Sequence, residues 1–162
     1  MSFLDIALRL VVAAAVGGLV GLNRDLHGKP TGVPTLGLVG LGSALVVLAV
    51  SGGDDAAATS RVIQGIVTGI GFLGAGVIVR PMAKHRVHGL TTAACVWLTA
   101  ALGAACGVGA WRVVVVGVPV AFLLLLFGKS LEHLSHYVSR EASGEPEELN
   151  GSPPPHPPAR TE

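Results

Sequence analysis

Charge is scarce in this chain. Asp, Glu, Lys and Arg together make up 13% of its 162 residues, about half of the roughly 25% that a soluble domain carries. That excludes a large soluble domain. Aromatic residues are also few, at 4%, so the apolar content is Val, Leu, Ala and Ile. Only two cysteines occur, Cys95 and Cys106. Eleven residues on one helix place them about 16 Å apart, which excludes a disulfide between them and makes both small packing residues. There is no P-loop and no arrangement of nucleophile and base, so no enzyme is expected. A net charge of +1 and the lack of a soluble domain give no reason to expect a nucleic-acid partner.

What is present is apolar. Hydrophobic residues reach 51% and the mean hydropathy is +0.66. The most informative stretch is Val62 to Val79, VIQGIVTGIGFLGAGVIV, which holds five glycines and no charge. In water a glycine inside a helix costs about 1 kcal/mol relative to alanine. In a bilayer, small residues let helix backbones approach closely, and an uninterrupted apolar run of this length is a spanning candidate. Five such runs can be counted: 4–22, 33–50, 62–79, 90–108 and 113–128. The fifth is short and contains Pro119. The expected fold is an all-α membrane protein, a bundle of about five transmembrane helices embedded in the lipid bilayer. The first run lacks a basic leader and carries Asp5 and Arg9, so it reads as a spanning helix and not as a cleavable signal.

Lys and Arg set the expected orientation. Arg24, Lys29, Arg80, Lys84, Arg86, Lys129 and Arg140 fall on one side of a five-span topology, against Arg61 and Arg112 on the other. The N-terminus is therefore expected outside and the C-terminus in the cytoplasm. Residues 129–138 read as a short interfacial helix that could extend the fifth span. Residues 139–162 are rich in Pro, Glu, Ser and Gly and read as a disordered cytoplasmic tail.

Small residues recur every fourth position. Ala13, Gly17 and Gly21 do so in the first run, Gly65 and Gly69 in the third, and Cys95, Thr99, Gly103 and Gly107 in the fourth. With Gly71, Gly74 and Gly76 these form the expected helix-packing set, through contacts inside the chain or in a homo-oligomer. The candidate polar residues are Asn23, Arg24 and Asp25 at the end of the first run, Asp54, Asp55 and Arg61 in the loop before the third, Gln64 and Thr68 on one face of the third, and Thr91 and Thr92 opening the fourth. Asp54 and Asp55 could attract a divalent cation, but pairing with Arg61 explains them equally well. Gln64 and Thr68 suit either hydrogen bonds between helices or the lining of a cation path. Asp5 and Arg9 share a helix face and can pair. His85 with His88, and His133 with His136, have the spacing of a metal pair but read better as solvated residues. No cofactor is expected, and no metal site is assigned.

Three stretches carry a family resemblance: GGLVGLNRDLHGKPTGVPTLGLVGLGSALV (17–46), RVIQGIVTGIGFLGAGVIVR (61–80) and HGLTTAACVWLTAALGAACGVGAW (88–111). Together, and above all in GIGFLGAG and GLTTAA, the chain resembles the MgtC/SapB family of bacterial inner-membrane proteins. The resemblance implies about five membrane helices and a role in growth under low magnesium. It also implies either of two activities: regulation by contact with a membrane partner such as the rotary ATP synthase, or transport of Mg2+. Spans two to five lack the midplane ionisable groups that a transporter core usually keeps, which favours contact. The chain departs from the family pattern at Asn23, where a glutamate is usual, and at Pro34, Thr35 and Leu36, where Arg-Thr-His is usual. Thr91 stands where the virulence-associated member has asparagine. The soluble C-terminal domain of the long members is replaced by the Pro-rich tail.

Overall fold

The computed structural model describes residues 1–51, 56–78 and 89–143, with side chains as far as residue 127. Among the described residues all regular structure is helical. The elements in chain order are α1 (Phe3–Leu26), α2 (Val33–Val50), α3 (Ala56–Gly76), α4 (Leu90–Val108) and α5 (Trp111–Ser143). The first four are long and apolar enough to cross a membrane, and the apolar part of α5 is Trp111–Phe127. The protein is an all-α, multi-pass membrane protein. The chain divides after Leu123 into two units, and the packing below concerns the first.

Helix ends follow local chemistry. Ser2 caps α1, its Oγ accepting the Asp5 N–H at 3.2 Å. Proline stands in the first turn of α2 as Pro34, where its missing N–H is one that the helix would leave free anyway. Gly89 and Gly109 bracket α4 with φ of 97° and 82°, a left-handed backbone that glycine adopts without strain.

Three boundaries differ from the sequence reading. α3 starts at Ala56 and ends at Gly76, so Arg61 lies in its second turn and not in a loop. The run of small and polar residues before Val62 (AAATSR) is helix-compatible although it is not apolar. α1 continues to Leu26, which places Asn23, Arg24 and Asp25 in its last turn. α5 runs from Trp111 through 129–138 to Ser143, with Pro119 inside it, so the fifth helix ends beyond the apolar run at 128 and includes its expected extension. Asp54, Asp55, His85, His88 and residues 144–162 lie outside the described residues, as do the side chains of His133 and His136.

The core is the junction of α1, α2 and α4. Along α1 and α2 the antiparallel register pairs Gly21 with Gly32, Gly17 with Leu36, and Ala13 with Gly40. A Cβ on Gly21 would lie 2.6 Å from the Gly32 carbonyl oxygen, one on Gly40 would lie 2.6 Å from that of Ala13, and one on Gly17 would overlap that of Leu36. α2 and α4 run parallel, with Gly103 seated on the Gly40 carbonyl and Gly107 on that of Ala44. Around this seam Ala13, Val16, Ala44, Leu102, Cys106 and Val114 form the buried cluster. Lipid tails are as apolar as leucine, so hydrophobicity does not hold such helices together. Close packing does, and its dispersion gain falls steeply with separation.

α3 is different. It is the least buried of the spans. Among the described residues Gly65, Gly69, Gly71 and Gly76 have no neighbour within 4 Å of a Cβ position, and Gly74 meets the Ala93 side chain at 3.7 Å. The most glycine-rich run was expected to pack, yet among the described residues its glycines meet almost nothing. Periodicity marks a face that can approach another backbone, but not which helices do so.

Two substitutions separate these uses of glycine. Gly103→Leu is expected to destabilise the bundle by about 3 kcal/mol or more, because backbone cannot give way as a side chain can. Gly71→Ala is expected to leave stability unchanged or raise it by up to about 1 kcal/mol. Thermal unfolding of the two variants in one detergent reads both. Equal loss in both would contradict this packing.

Candidate functional site

The charged side chains of the α1–α2–α4 junction lie at its two ends. At one end Asp5 and Arg9, one helical turn apart, form an ion pair at 3.2 Å. Arg9 also donates from Nη1 to the Gly107 carbonyl oxygen at 2.8 Å. That carbonyl lies in the last turn of α4, where unpaired C=O groups favour a cation. Arg9 thus serves as a side-chain cap for α4, and Asp5 holds it in place.

At the other end Arg24 is 94% buried (6% exposed). The last turn of α1 carries it, and its Nη2 donates to Thr92 Oγ1 in the first turn of α4. Its Nε is buried and has no hydrogen-bond partner. Asp25 is exposed and faces α2, where its carboxylate accepts the Val33 N–H at 2.9 Å. α2 has no side-chain cap of its own, because its N-cap is Gly32. Asp25 supplies that cap from the neighbouring helix, and a side chain on Gly32 would overlap the carboxylate. Asn23 is half-buried, and its carbonyl oxygen lies 2.7 Å from His27 Nδ1.

The candidate polar residues therefore separate. Arg24 and Thr92 come together, and Asp25 sits beside them as a cap. Thr91 is exposed next to Thr92. Gln64 and Thr68 are exposed on α3, and the Thr68 hydroxyl bonds back to the Gln64 carbonyl oxygen at 2.9 Å. That bond stays within one helix. Arg61 is exposed on α3. Among the described residues no group of three His, Cys, Asp or Glu could hold a metal. Thr99, at the centre of the junction, is fully buried with Oγ1 unpartnered. Its methyl group packs 3.1 Å from the Gly17 Cβ position. Between α2 and α3 lies an open groove of about 560 Å³, lined mainly by apolar residues such as Leu38, Val46, Ile66, Ile70 and Leu73.

Three contacts were not read from the sequence. Gly40 was missed, although Gly40 and Ala44 repeat the four-residue spacing noted in α1 and α4. The Arg24–Thr92 and Arg9–Gly107 contacts join residues 68 and 98 apart, and no local pattern records such pairs.

Comparison with known proteins bears on all of this. The profile of the MgtC family matches residues 10–134. Protein SrpB of Synechococcus elongatus is 42% identical over 146 residues, covering 83% of this chain and 80% of SrpB. The putative magnesium transporter YhiD of Escherichia coli is 36% identical over 129 residues, 75% of this chain and 59% of YhiD. Protein MgtC of Salmonella typhimurium is 39% identical over 105 residues, 65% of this chain and 44% of MgtC. The chain thus spans most of the first relative and about half of the other two. No solved structure matches it.

The capping role of Asp25 is directly testable. Asp25→Ala is expected to cost about 1 kcal/mol, the usual value of a lost N-cap, and Asp25→Asn to recover most of it. Thermal unfolding measures both. Indistinguishable Ala and Asn variants would remove the cap from this account.

Proposed function

Because the chain belongs to the MgtC family, we propose that this multi-pass bacterial membrane protein supports adaptation to magnesium limitation as a regulator acting through helix–helix contact with a membrane partner. The observation that carries this reading is α3. Among the described residues its glycines Gly65, Gly69, Gly71 and Gly76 meet nothing within 4 Å of a Cβ position, while those of α1 and α4 are all occupied. A helix face that permits backbone approach, on the least buried span, suits lateral docking in the bilayer. The partner is a second membrane protein, with the rotary ATP synthase the one the family resemblance suggests, or another copy of the chain. Magnesium enters as the growth condition, and no cofactor is assigned. The N-terminus faces outward and the C-terminus the cytoplasm in this reading, on the Lys and Arg distribution.

Transport of Mg2+ is the competing reading, and the name of YhiD, putative magnesium transporter, supports it. Against it stand the apolar lining of the α2–α3 groove and the closed backbone seam of α1, α2 and α4. Purified protein in liposomes is expected to pass no Mg2+ above the level of protein-free vesicles. In cells, Gly65→Leu and Gly69→Leu are expected to abolish support of growth at low magnesium at unchanged folded yield. Flux through the wild-type protein that Thr68→Val removes would overturn the contact reading. So would full growth support by both glycine variants.

A further inference from the structure

Arg24 has more cationic capacity than the described residues satisfy. The residue is 94% buried, one nitrogen reaches Thr92, and Nε has no acceptor among the described residues. Leaving a buried charge without a partner is strongly unfavourable. Asp25, the adjacent acid, is committed to the Val33 N–H. No Asp or Glu occurs from residue 26 to 53 or from 56 to 131, whereas Lys29, Arg80, Lys84 and Arg86 fall in the segments that follow α1 and precede α4. The C-terminal turn of α1 offers partial negative charge to Arg24, but no acceptor for Nε.

The same guanidinium lies beside the N-terminus of α4, whose N-cap Gly89 packs against the backbone of Val77 and Ile78. The N-cap of α4 is Gly89, which has no side chain to accept a hydrogen bond. The N–H groups of Leu90, Thr91 and Thr92 thus have no acceptor within their helix. Thr92 spends its hydroxyl oxygen on Arg24. The amide N–H groups of a helix N-terminus and an arginine fork beside it are the two donors that bind a phosphate group. Both lie where α1 ends and α4 begins, which is the depth of lipid phosphates for spans of this length.

We infer that Arg24, Thr92 and the N-terminal amides of α4 form a binding site for a phosphate group, carried by an anionic phospholipid headgroup or free in solution. The site is separate from the α3 face and stands or falls independently of the partner reading. Occupancy supplies the acceptor that Arg24 lacks and ties α1 to α4 at that end of the bundle.

The test uses the full chain, purified in detergent and titrated with phosphatidylglycerol, phosphatidylcholine or inorganic phosphate. Bound lipid is counted by native mass spectrometry, and phosphate is followed by its 31P resonance. Phosphatidylglycerol is expected to bind at least several-fold more tightly than phosphatidylcholine. Arg24→Gln is expected to weaken binding about tenfold, the worth of one charge-assisted hydrogen bond. Lys29→Gln removes an exposed cation and should change it less than about twofold. Inorganic phosphate that displaces the lipid identifies a general phosphate site, and lipid binding without phosphate binding identifies a headgroup site; both support the assignment. Arg24→Lys keeps the charge and loses the fork, so it decides the matter if Arg24→Gln does not fold, and several-fold weaker binding is then expected. Wild-type protein that binds neither probe, or Arg24 variants that bind as tightly as wild type, would overturn the assignment.

Discussion

The structure depends on one constraint: at the junction of α1, α2 and α4, backbone lies against backbone. Gly17 on Leu36, Gly40 on Ala13, and Gly103 on Gly40 leave no room for a Cβ. In lipid this proximity supplies what hydrophobic burial supplies in water, because only contact distance distinguishes a helix neighbour from a lipid tail. The register follows. Once Gly17 faces Leu36 and Thr99, Arg24 must face Thr92 and Arg9 must face Gly107, since α1 and α4 run antiparallel through the same crossing. The polar contacts at the two ends are consequences of the crossing at the centre.

That geometry also fixes where charge can reside. A seam closed by glycine and alanine has no space for hydrated ions, so the ionisable groups collect at helix ends. There each meets the terminus suited to it: Arg9 the free carbonyls of α4, Asp25 the free amides of α2. Arg24 alone faces the wrong terminus of α4, amide end towards cation. The misfit between a buried guanidinium and a helix N-terminus makes an anion the natural third component.

Much of this was legible in the sequence, for physical reasons. The helical class followed from apolar run lengths, because a bilayer leaves backbone groups no other way to be satisfied. The packing faces of α1 and α4 followed from four-residue spacing of small residues. What could not be read was which helix each face meets. Gly40 belongs to the seam through its pairing with Gly103, and that depends on two chain segments 63 residues apart by number. The start of α3 was misplaced because hydropathy marks where a helix is apolar and not where it begins; Ala56 to Arg61 is a good helix former without being apolar. Arg24, Asp25 and Thr92 were all named as candidates, yet only the fold shows that Arg24 pairs with Thr92 and Asp25 with Val33.

The departures from the family pattern acquire a physical meaning in this setting. Pro34 falls in the first turn of α2, where proline is favoured. Leu36 is completely buried, with its carbonyl against Gly17. At that position the family pattern has a histidine, whose ring would need a hydrogen-bond partner so deep in the packing. Leucine needs none.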